Sequence, residues 1–372
     1  MKFLYISDTT LPSAKANSVN ITKMCEALVA YAGELILFFP VFERGSKSFG
    51  DISRYYGLTR EFKVHCVKVP NIPGALYLYA IKVAFIVFKQ YSINKENTYV
   101  YGRSPAAISL LSFMGYPSGI DVHGKVWTNG IVRSWLYHYL SRSPAMRLIS
   151  FNSSQLQALF LKRFKQTKPA KTLALPNGAS LGIISDKYLI KASSNTLRVG
   201  YVGSLMKGRG VELIINLAKR MPYVEFHLAG GPISYIEAFD PVAKDCSNLH
   251  LYGQIPYSDT ASFLSSCDIL LAPYQLDTRV GSGENTVTYM SPIKIFEYMA
   301  SQRAIIASDL PALNEIIGDE NSIFVASDDI KQWENAIHIL QDSSVRSKLA
   351  QRAYERWQSN FTWDIRGKKV FE

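Results

Sequence analysis

The sequence predicts an α/β protein of two doubly wound, Rossmann-like domains facing each other across a cleft. Three observations predict it. At 372 residues the chain exceeds what one hydrophobic core ordinarily serves. Short apolar runs alternate with helical stretches, which marks a mostly parallel sheet, and the alternation starts afresh near residue 196. Charge divides close to the same place: residues 1–185 hold 22 Lys/Arg and 8 Asp/Glu, net +14, whereas residues 186–372 hold 19 and 22, net −3.

In the first half, Lys2–Ser7 reads as the opening strand, and a polar loop from Asp8 to Asn17 leads into a helix over Ser18–Ala32. Ser18 is placed to cap that helix, with Ile21, Met24, Cys25 and Leu28 on its buried face. Strand-like runs follow at Glu34–Phe39, Phe62–Val69, Asn97–Tyr101, Arg147–Phe151 and Thr172–Leu175. The most apolar run, Ala75–Phe88, is 14 residues long and contains Lys82. It falls short of the roughly 20 residues that cross a bilayer and reads as a buried or interfacial helix. A polar stretch, Asp186–Asn195, then marks a boundary. It gives a first domain over 1–185 and a second domain over 186–351, with a C-terminal helix, 352–372, crossing back onto the first. The second half repeats the logic, with strands at Leu197–Val202, Val224–Ala229, His250–Gly253, Ile269–Ala272, Ala304–Ala307 and Ile323–Val325. Helices are expected at Val211–Arg220, Ser258–Ser266 and Pro292–Ala300. Ligands of such sheets bind beyond the carboxyl ends of the strands.

Composition narrows the class. Hydrophobic residues at 48% and charged residues at 19% describe a globular chain. Four cysteines, Cys25, Cys66, Cys246 and Cys267, form no CxxC and no disulfide framework, and MKFLYISD is too short for a signal-peptide core, so a cytoplasmic setting is expected. The basic excess clusters at Arg54–Lys68 and Lys162–Lys171. Such a field suits a polyanion, and with no nucleic-acid reading motif in the chain an anionic membrane surface is the expected partner. No Gly-x-Ser-x-Gly elbow is present, which counts against an α/β hydrolase.

Three constellations carry chemistry. Tyr201-Val-Gly-Ser-Leu-Met-Lys-Gly-Arg-Gly-Val-Glu212 runs from a strand through a glycine-rich turn into a helix. Glycines let backbone come close, a helix start offers free N–H groups, and Lys207 and Arg209 neutralise phosphate. It is neither a P-loop, since Arg209-Gly210 stands where Lys-Ser/Thr is needed, nor a dinucleotide fingerprint. In Tyr289-Met-Ser-Pro-Ile-Lys-Ile-Phe-Glu-Tyr-Met-Ala300, Ser291 suits an N-cap and Pro292 the first helical position. Lys294 and Glu297 then share a face, and Glu297 can accept two hydroxyl hydrogen bonds from a ribose. Gly119-Ile-Asp-Val-His-Gly124 places His123 two residues after Asp121.

The order of these segments resembles the GT-B nucleotide-sugar glycosyltransferases, specifically the retaining family 4 (glycosyl transferases group 1). The resemblance also takes in Leu175-Pro-Asn-Gly178, Leu228-Ala-Gly-Gly231, Tyr252-Gly-Gln-Ile255, Asp268–Pro273 and Ala304–Pro311, and so covers nearly the whole chain. It implies a donor diphosphate held by Arg209 and Lys207 with Gly203, Gly208 and Gly231. Ser204 stands where the family has a basic residue. The resemblance further implies backbone N–H groups of Ser291, Pro292 and Ile293 beside sugar and phosphate, Lys294 near them, Glu297 on the ribose, and Ile255 against the base. Tyr289 replaces the first carboxylate of the family's Glu-x7-Glu pair, and Glu284, in the loop Gly281–Asn285, is the candidate substitute. His123 would line the acceptor side, and Asn17 and Ser18, in a loop of small residues (Pro12–Ser18), would approach the donor. Without an Asp-x-Asp metal motif, a metal-free reaction with no cofactor beyond the nucleotide-sugar donor is expected. The implied acceptor is a membrane-associated glycan or lipid-linked hydroxyl in cell-surface polysaccharide synthesis, at the inner face of the plasma membrane. The alternatives are a nucleotide-sugar 2-epimerase of the same fold and a catalytically silent nucleotide-sugar-binding partner subunit.

Overall fold

The computed structural model describes residues 1–13, 15–42, 47–164, 171–190, 196–239, 246–279 and 283–372. Ala14, most of the basic run Lys162–Lys171, the end of the boundary stretch (191–195) and two residues of the Gly281–Asn285 loop lie outside the described residues. The chain forms two compact units, Met1–Asn177 with Trp363–Glu372, and Gly178–Thr362. The break falls at the Pro176-Asn177-Gly178 turn rather than after 185, and residues 352–362 lie in the second unit.

The first unit runs β1 (Lys2–Ile6), α1 (Ala16–Leu28), β2 (Glu34–Val41), α2 (Phe49–Tyr56), β3 (Lys63–Lys68), α3 (Ala75–Tyr91), β4 (Thr98–Gly102), α4 (Pro105–Phe113), β5 (Ser118–Val122), α5 (Ile131–Leu140), β6 (Met146–Phe151), α6 (Ser154–Arg163) and β7 (Lys171–Ala174). The seven strands are parallel, in the order β3-β2-β1-β4-β5-β6-β7. The direction of winding therefore reverses between β1 and β4, and the loops leaving those strands open the crevice where doubly wound sheets bind ligands.

Helix α1 starts at Ala16 with Lys15 at the cap position, two residues before the expected Ser18. The Ser18 hydroxyl donates instead to the Ser13 and Lys15 carbonyls at 2.7 and 2.6 Å, tying the preceding loop to the helix. Strand β5 escaped the apolar pattern because its sequence, SGIDV, carries two residues that strands avoid. Both have local reasons. A Cβ on Gly119 would lie 2.6 Å from the Tyr99 hydroxyl and 2.9 Å from the Tyr101 ring, and Asp121 is the hub of a buried ion cluster. The run that was read as 14 residues extends as α3 to Tyr91 and continues in a 3-10 turn to Asn97. Ala75–Asn97, 23 residues, is long and apolar enough to cross a membrane by length and composition. One face of α3 (Ala75, Tyr79, Ala80, Val83, Ala84, Val87) is buried in the unit, whereas Tyr77, Ile81, Phe85 and Phe88 are exposed.

The second unit runs β8 (Leu197–Val202), α7 (Val211–Arg220), β9 (Val224–Ala229), α8 (Ser234–Phe239), β10 (Leu249–Gly253), α9 (Thr260–Ser265), β11 (Ile269–Ala272), α10 (Ile293–Ala300), β12 (Ala304–Ser308), α11 (Pro311–Ile317), β13 (Ile323–Val325), α12 (Ile330–Ile339) and α13 (Ser343–Asn360). The parallel order is β10-β9-β8-β11-β12-β13, with its switch point between β8 and β11. Alternation along the strands feeds two cores. Val199, Tyr201, Phe226, Ile269 and Ile306 pack with α7 and α12, and Leu270, Ala272, Ile305 and Ala307 pack with α9, α10, α11 and α13.

The last helix, α14 (Trp363–Phe371), belongs to the first unit and lies along α1. The approach depends on small residues: a Cβ on Gly367 would sit 3.1 Å from the Ala27 Cβ and 3.3 Å from its carbonyl carbon. Gly367→Val forces the helices apart. The expected loss is about 1–3 kcal/mol, read as a lower urea midpoint with an unchanged m-value.

Candidate functional site

In the second unit the site begins where β8 ends. Gly203 has φ +146°, and its N–H donates to Ala229 O at 2.9 Å. The chain after β9 crosses directly over it, so that a Cβ on Gly230, itself at φ +144°, would stand 1.7 Å from the Gly203 carbonyl oxygen. Leu205 N then donates to Gly231 O, and the Tyr201 hydroxyl donates to Ser204 O at 2.8 Å. The turn is therefore held from below by its own strand. Gly208 is locked to the segment after β11: its carbonyl accepts from Gln275 N–H and the Thr278 hydroxyl. Gly210, at φ +75°, caps α7 against the Pro273 carbonyl, where a Cβ would lie 1.9 Å away. Only glycine fits there.

Three charged side chains stand around this turn. The Arg209 guanidinium lies over the Tyr274 ring, 5.5 Å from its centroid, and Lys294 Nζ lies 4.6 Å from the same centroid and 3.9 Å from that of Tyr201. Burial and the Arg209 cation push the Lys294 ammonium well below its usual range, while Glu297, one turn along α10, pulls the other way. Burial raises the Tyr274 phenol to about 12, with Arg209 opposing. Two cations close to one aromatic ring, opposed by Glu297, form a positive focus suited to an anion. Lys207 is exposed on the turn.

Helix α10 begins at Ile293 with Pro292 in the cap position, so Ser291 precedes the cap rather than forming it. Ser291 is buried, and Pro292, Ile293, Lys294 and Glu297 are half-buried. The helix is pinned to the end of β8 by the Tyr298 hydroxyl, which accepts from Val202 N–H at 2.9 Å. Tyr289 is 1% exposed and its hydroxyl donates to the Glu284 carboxylate. Thus the residue occupying the expected carboxylate position holds another carboxylate in place. Ile255 is half-buried after β10 and packs on the α9–α11 core.

The first unit contributes Asn17, Ser18 and His123. The Asn17 amide donates to the Thr9 hydroxyl at 3.0 Å, and the buried Ser18 hydroxyl is spent on loop carbonyls. His123 follows β5, its Nε2 2.8 Å from Asp121 Oδ2. Asp121 also receives Arg366 Nη2 on both oxygens, at 2.8 and 3.0 Å, and the Ser150 hydroxyl at 2.8 Å. Arg366, on α14, spends its Nε on the Leu175 and Pro176 carbonyls. Burial alone would raise the Asp121 carboxyl; the Arg366 cation, then His123 and Arg103, override it and hold the carboxyl far below the usual range. Burial and Arg103 bring His123 down to about 4 against the pull of Asp121. At neutral pH His123 is therefore uncharged. Since an ionised carboxylate only accepts, its proton is on Nε2 and Nδ1 is an acceptor.

Two residues of these clusters carried no motif. Arg366 lies more than 240 positions from Asp121 and was legible only as one arginine in a basic C-terminal stretch. Asp8 follows β1, at the switch point of the first sheet, a position that alone could have flagged it. Asp8 lines a cavity of about 310 Å³ with Asn71, Tyr77, Pro105, Arg133 and Leu136. Burial raises its carboxyl to about 6, opposed by a hydrogen bond from Ser104 and by Arg133 and Arg103.

With this geometry in hand, the class is a GT-B protein: two doubly wound parallel sheets, each with its ligand-bearing loops at the switch point. Known structures agree. The Anabaena protein HepE, solved with UDP, superposes with a TM-score of 0.70 over 100% of this chain and 98% of its own, at 15% identity. Residues 196–343 match the family described as Glycosyl transferases group 1. That match lies within the second unit, and the chain as a whole has the GT-B fold. An uncharacterized glycosyltransferase of Methanocaldococcus jannaschii is 26% identical over 181 residues, 46% of this chain and 47% of its own. The phosphatidyl-myo-inositol mannosyltransferase of Mycolicibacterium smegmatis is 27% identical over 199 residues, 51% and 48%. The aligned regions span about half the length of these curated relatives.

The raised Asp8 pKa has a stability consequence whose sign is fixed. Below the ordinary carboxyl pKa near 4 both folded and unfolded chains hold the proton, and no penalty exists. Above about 6 the folded state must carry a buried carboxylate. Asp8→Asn is therefore expected to stabilise the protein by on the order of 1–3 kcal/mol at pH 8 and by nothing below about pH 4. Paired urea titrations of both proteins across that range check it. His123 is common to both and cancels from the difference.

Proposed function

We propose that the protein is a retaining, metal-independent glycosyltransferase that moves a sugar from a nucleoside diphosphate to a hydroxyl of a lipid-linked or other membrane-associated acceptor. The observation that carries this reading is the convergence of Arg209 and Lys294 on Tyr274 beside the Gly203–Gly210 turn. The donor diphosphate would lie there, with Lys207 assisting, Glu297 taking the ribose diol and backbone near Ile255 meeting the base. Glu284, held by Tyr289, would offer its carboxylate to the sugar hydroxyls. Uridine is the first base to try, because HepE binds UDP and UDP-glucose.

Catalysis in this reading is mostly electrostatic. The bond between the sugar carbon and the β-phosphate oxygen breaks, Arg209 and Lys294 take up the charge gained by the departing diphosphate, and the acceptor oxygen forms the new bond on the same face. Its proton passes to the leaving phosphate. His123, neutral and aimed by Asp121, would accept a hydrogen bond through Nδ1 from a sugar or acceptor hydroxyl.

The membrane part of the proposal rests on the first unit. Tyr77 lines the Asp8 cavity and also begins the exposed apolar stripe Tyr77, Ile81, Phe85, Phe88 on α3. Trp135 on α5 and Phe113 on α4 are exposed at 68% and 79%. An apolar face of this kind on a half of net charge +14 suits the cytoplasmic leaflet of an anionic membrane, and the mannosyltransferase relative is named for a phosphatidylinositol acceptor. In this reading the enzyme works at the inner face of the plasma membrane.

Two outcomes are expected. In calorimetry, UDP or another single nucleoside diphosphate binds the wild type, and Arg209→Ala and Lys294→Ala each weaken it roughly ten- to a hundredfold, about 1.5–3 kcal/mol. Glu297→Ala weakens the nucleotide but not pyrophosphate. Equal binding by wild type and the cation variants would remove the donor site from this turn. In sedimentation with phosphatidylglycerol vesicles the protein is retained, salt releases it, and the exposed double substitution Phe85→Ser/Trp135→Ser reduces retention at least several-fold. Retention indifferent to both salt and substitution would sink the membrane assignment.

A further inference from the structure

We infer that Glu225, His227 and His250 form a binding site for one divalent transition metal ion of the zinc type, on the β9–β10 edge of the second sheet. Glu225 and His227 are two apart on β9 and so share a face, and His250 on β10 is the register partner of His227. The two imidazoles are stacked, ring centroids 4.6 Å apart and planes 17° from parallel. One donor atom from each of the three residues falls within 4.8 Å of the others.

The second observation is at His227. It is 2% exposed, and its Nε2 is buried with no hydrogen-bond partner among the described residues. Its other nitrogen, Nδ1, lies 3.0 Å from the Tyr252 hydroxyl. A proton on Nδ1 donated to that hydroxyl leaves a bare lone pair on Nε2, aimed at Glu225 Oε2 only 3.5 Å away. A metal ion between Nε2 and the Glu225 carboxylate would satisfy both acceptors in that tautomer. A tetrahedral ion with bonds of about 2.1 Å spans about 3.4 Å between two ligands, so the gap has the right width. The hydrogen bond to Tyr252 is the outer partner that metal-bound imidazoles ordinarily have.

Ligand chemistry selects the ion. Two neutral imidazoles and one carboxylate suit zinc or cobalt and not magnesium or calcium, which want oxygen. Arg198, on the next strand, is engaged by Asp268 at 3.1 and 3.3 Å and does not compete for Glu225 as its sole partner. Glu225 and His250 are half-buried, so the ion has a path in and a fourth position open to water or another ligand. Bound there, it would cross-link the edge strand to its neighbour just before Gly230-Gly231 and Gly253. None of the three residues belongs to the proposed donor site, so the fates of the two readings are separable.

The test uses the full chain, stripped by chelator, with Cys66 and Cys246 replaced by Ser to remove other soft ligands. Titration with Co²⁺ alone is expected to saturate at one equivalent with a visible band of four- or five-coordinate intensity, and Zn²⁺ to displace it. His250→Ala and Glu225→Gln, both at half-exposed positions that the fold tolerates, should each weaken Zn²⁺ at least tenfold. His338→Ala, on α12, should change nothing. Wild-type binding no tighter than about millimolar, or affinity unaffected by both substitutions, overturns the site; circular dichroism of each variant shows that it is folded.

Discussion

At the carboxyl edge of the second sheet, backbone passes over backbone with no room for a side chain, and the turn proposed to hold the donor depends on that crossing. The Gly203 carbonyl occupies the space where a Cβ on residue 230 would be. Because of this, the turns after β8 and β9 can stack, with Leu205 N–H reaching the Gly231 carbonyl and Gly230 N–H reaching that of Gly253. Three strand ends are thereby laced into one platform. Gly208 and Gly210 extend it to β11 through Gln275, Thr278 and Pro273. The cations are then placed by rigid neighbours: Arg209 is flanked by two locked glycines, and Lys294 sits on a helix whose Tyr298 is bonded to the end of β8. Positioning by backbone leaves little reorganisation to be done when a charged ligand arrives.

The first unit solves a different problem, that of keeping charge in a place with little water. Asp121 is fully buried and would be costly alone. It is tolerated because Arg366 binds both its oxygens, Ser150 and His123 take further lone pairs, and Arg366 in turn bonds the carbonyls of Leu175 and Pro176. The C-terminal helix is thus more than a covering element. It brings the counter-charge that lets a strand carry an aspartate, and through Asp121 it fixes the tautomer of His123. Asp8 is the opposite case, a carboxyl whose surroundings do not fully compensate it. Structures accept such costs where function requires the group.

What could be read from sequence follows from the range of the interactions involved. Apolar runs such as LRVGYV and VEFHLA, and the helix Val211–Arg220, are local patterns and appear at the predicted residues. The glycine turn and the Lys294–Glu297 face were legible because their chemistry is written within a dozen residues. Caps were less so. Ser18 and Ser291 are sound N-cap residues, but α1 starts two residues early because the loop before it is braced elsewhere, and Pro292 takes the cap of α10. Strand β5 and Arg366 were hidden for one shared reason: an aspartate in a strand makes sense only once its partner, far along the chain, is known. The exposed stripe of α3 is a similar case, since composition records that a helix is apolar and only packing tells which of its faces is left uncovered.

The same comparison separates what each half can supply to a reaction. The second unit carries net negative charge overall, yet concentrates two cations on one aromatic ring; the anion binding proposed there would be a local property of Tyr274, Arg209 and Lys294, and salt should screen it weakly. The first unit carries its positive charge diffusely, around an apolar helix face and a cavity that share Tyr77. A diffuse field with an apolar stripe acts on extended anionic surfaces, and salt should screen it strongly. Ionic strength would thus distinguish the two proposed partners: a tightly held diphosphate would persist under salt that detaches the first unit from a membrane. An acceptor embedded in that membrane would be lost with it, while a soluble analogue of the same acceptor would not.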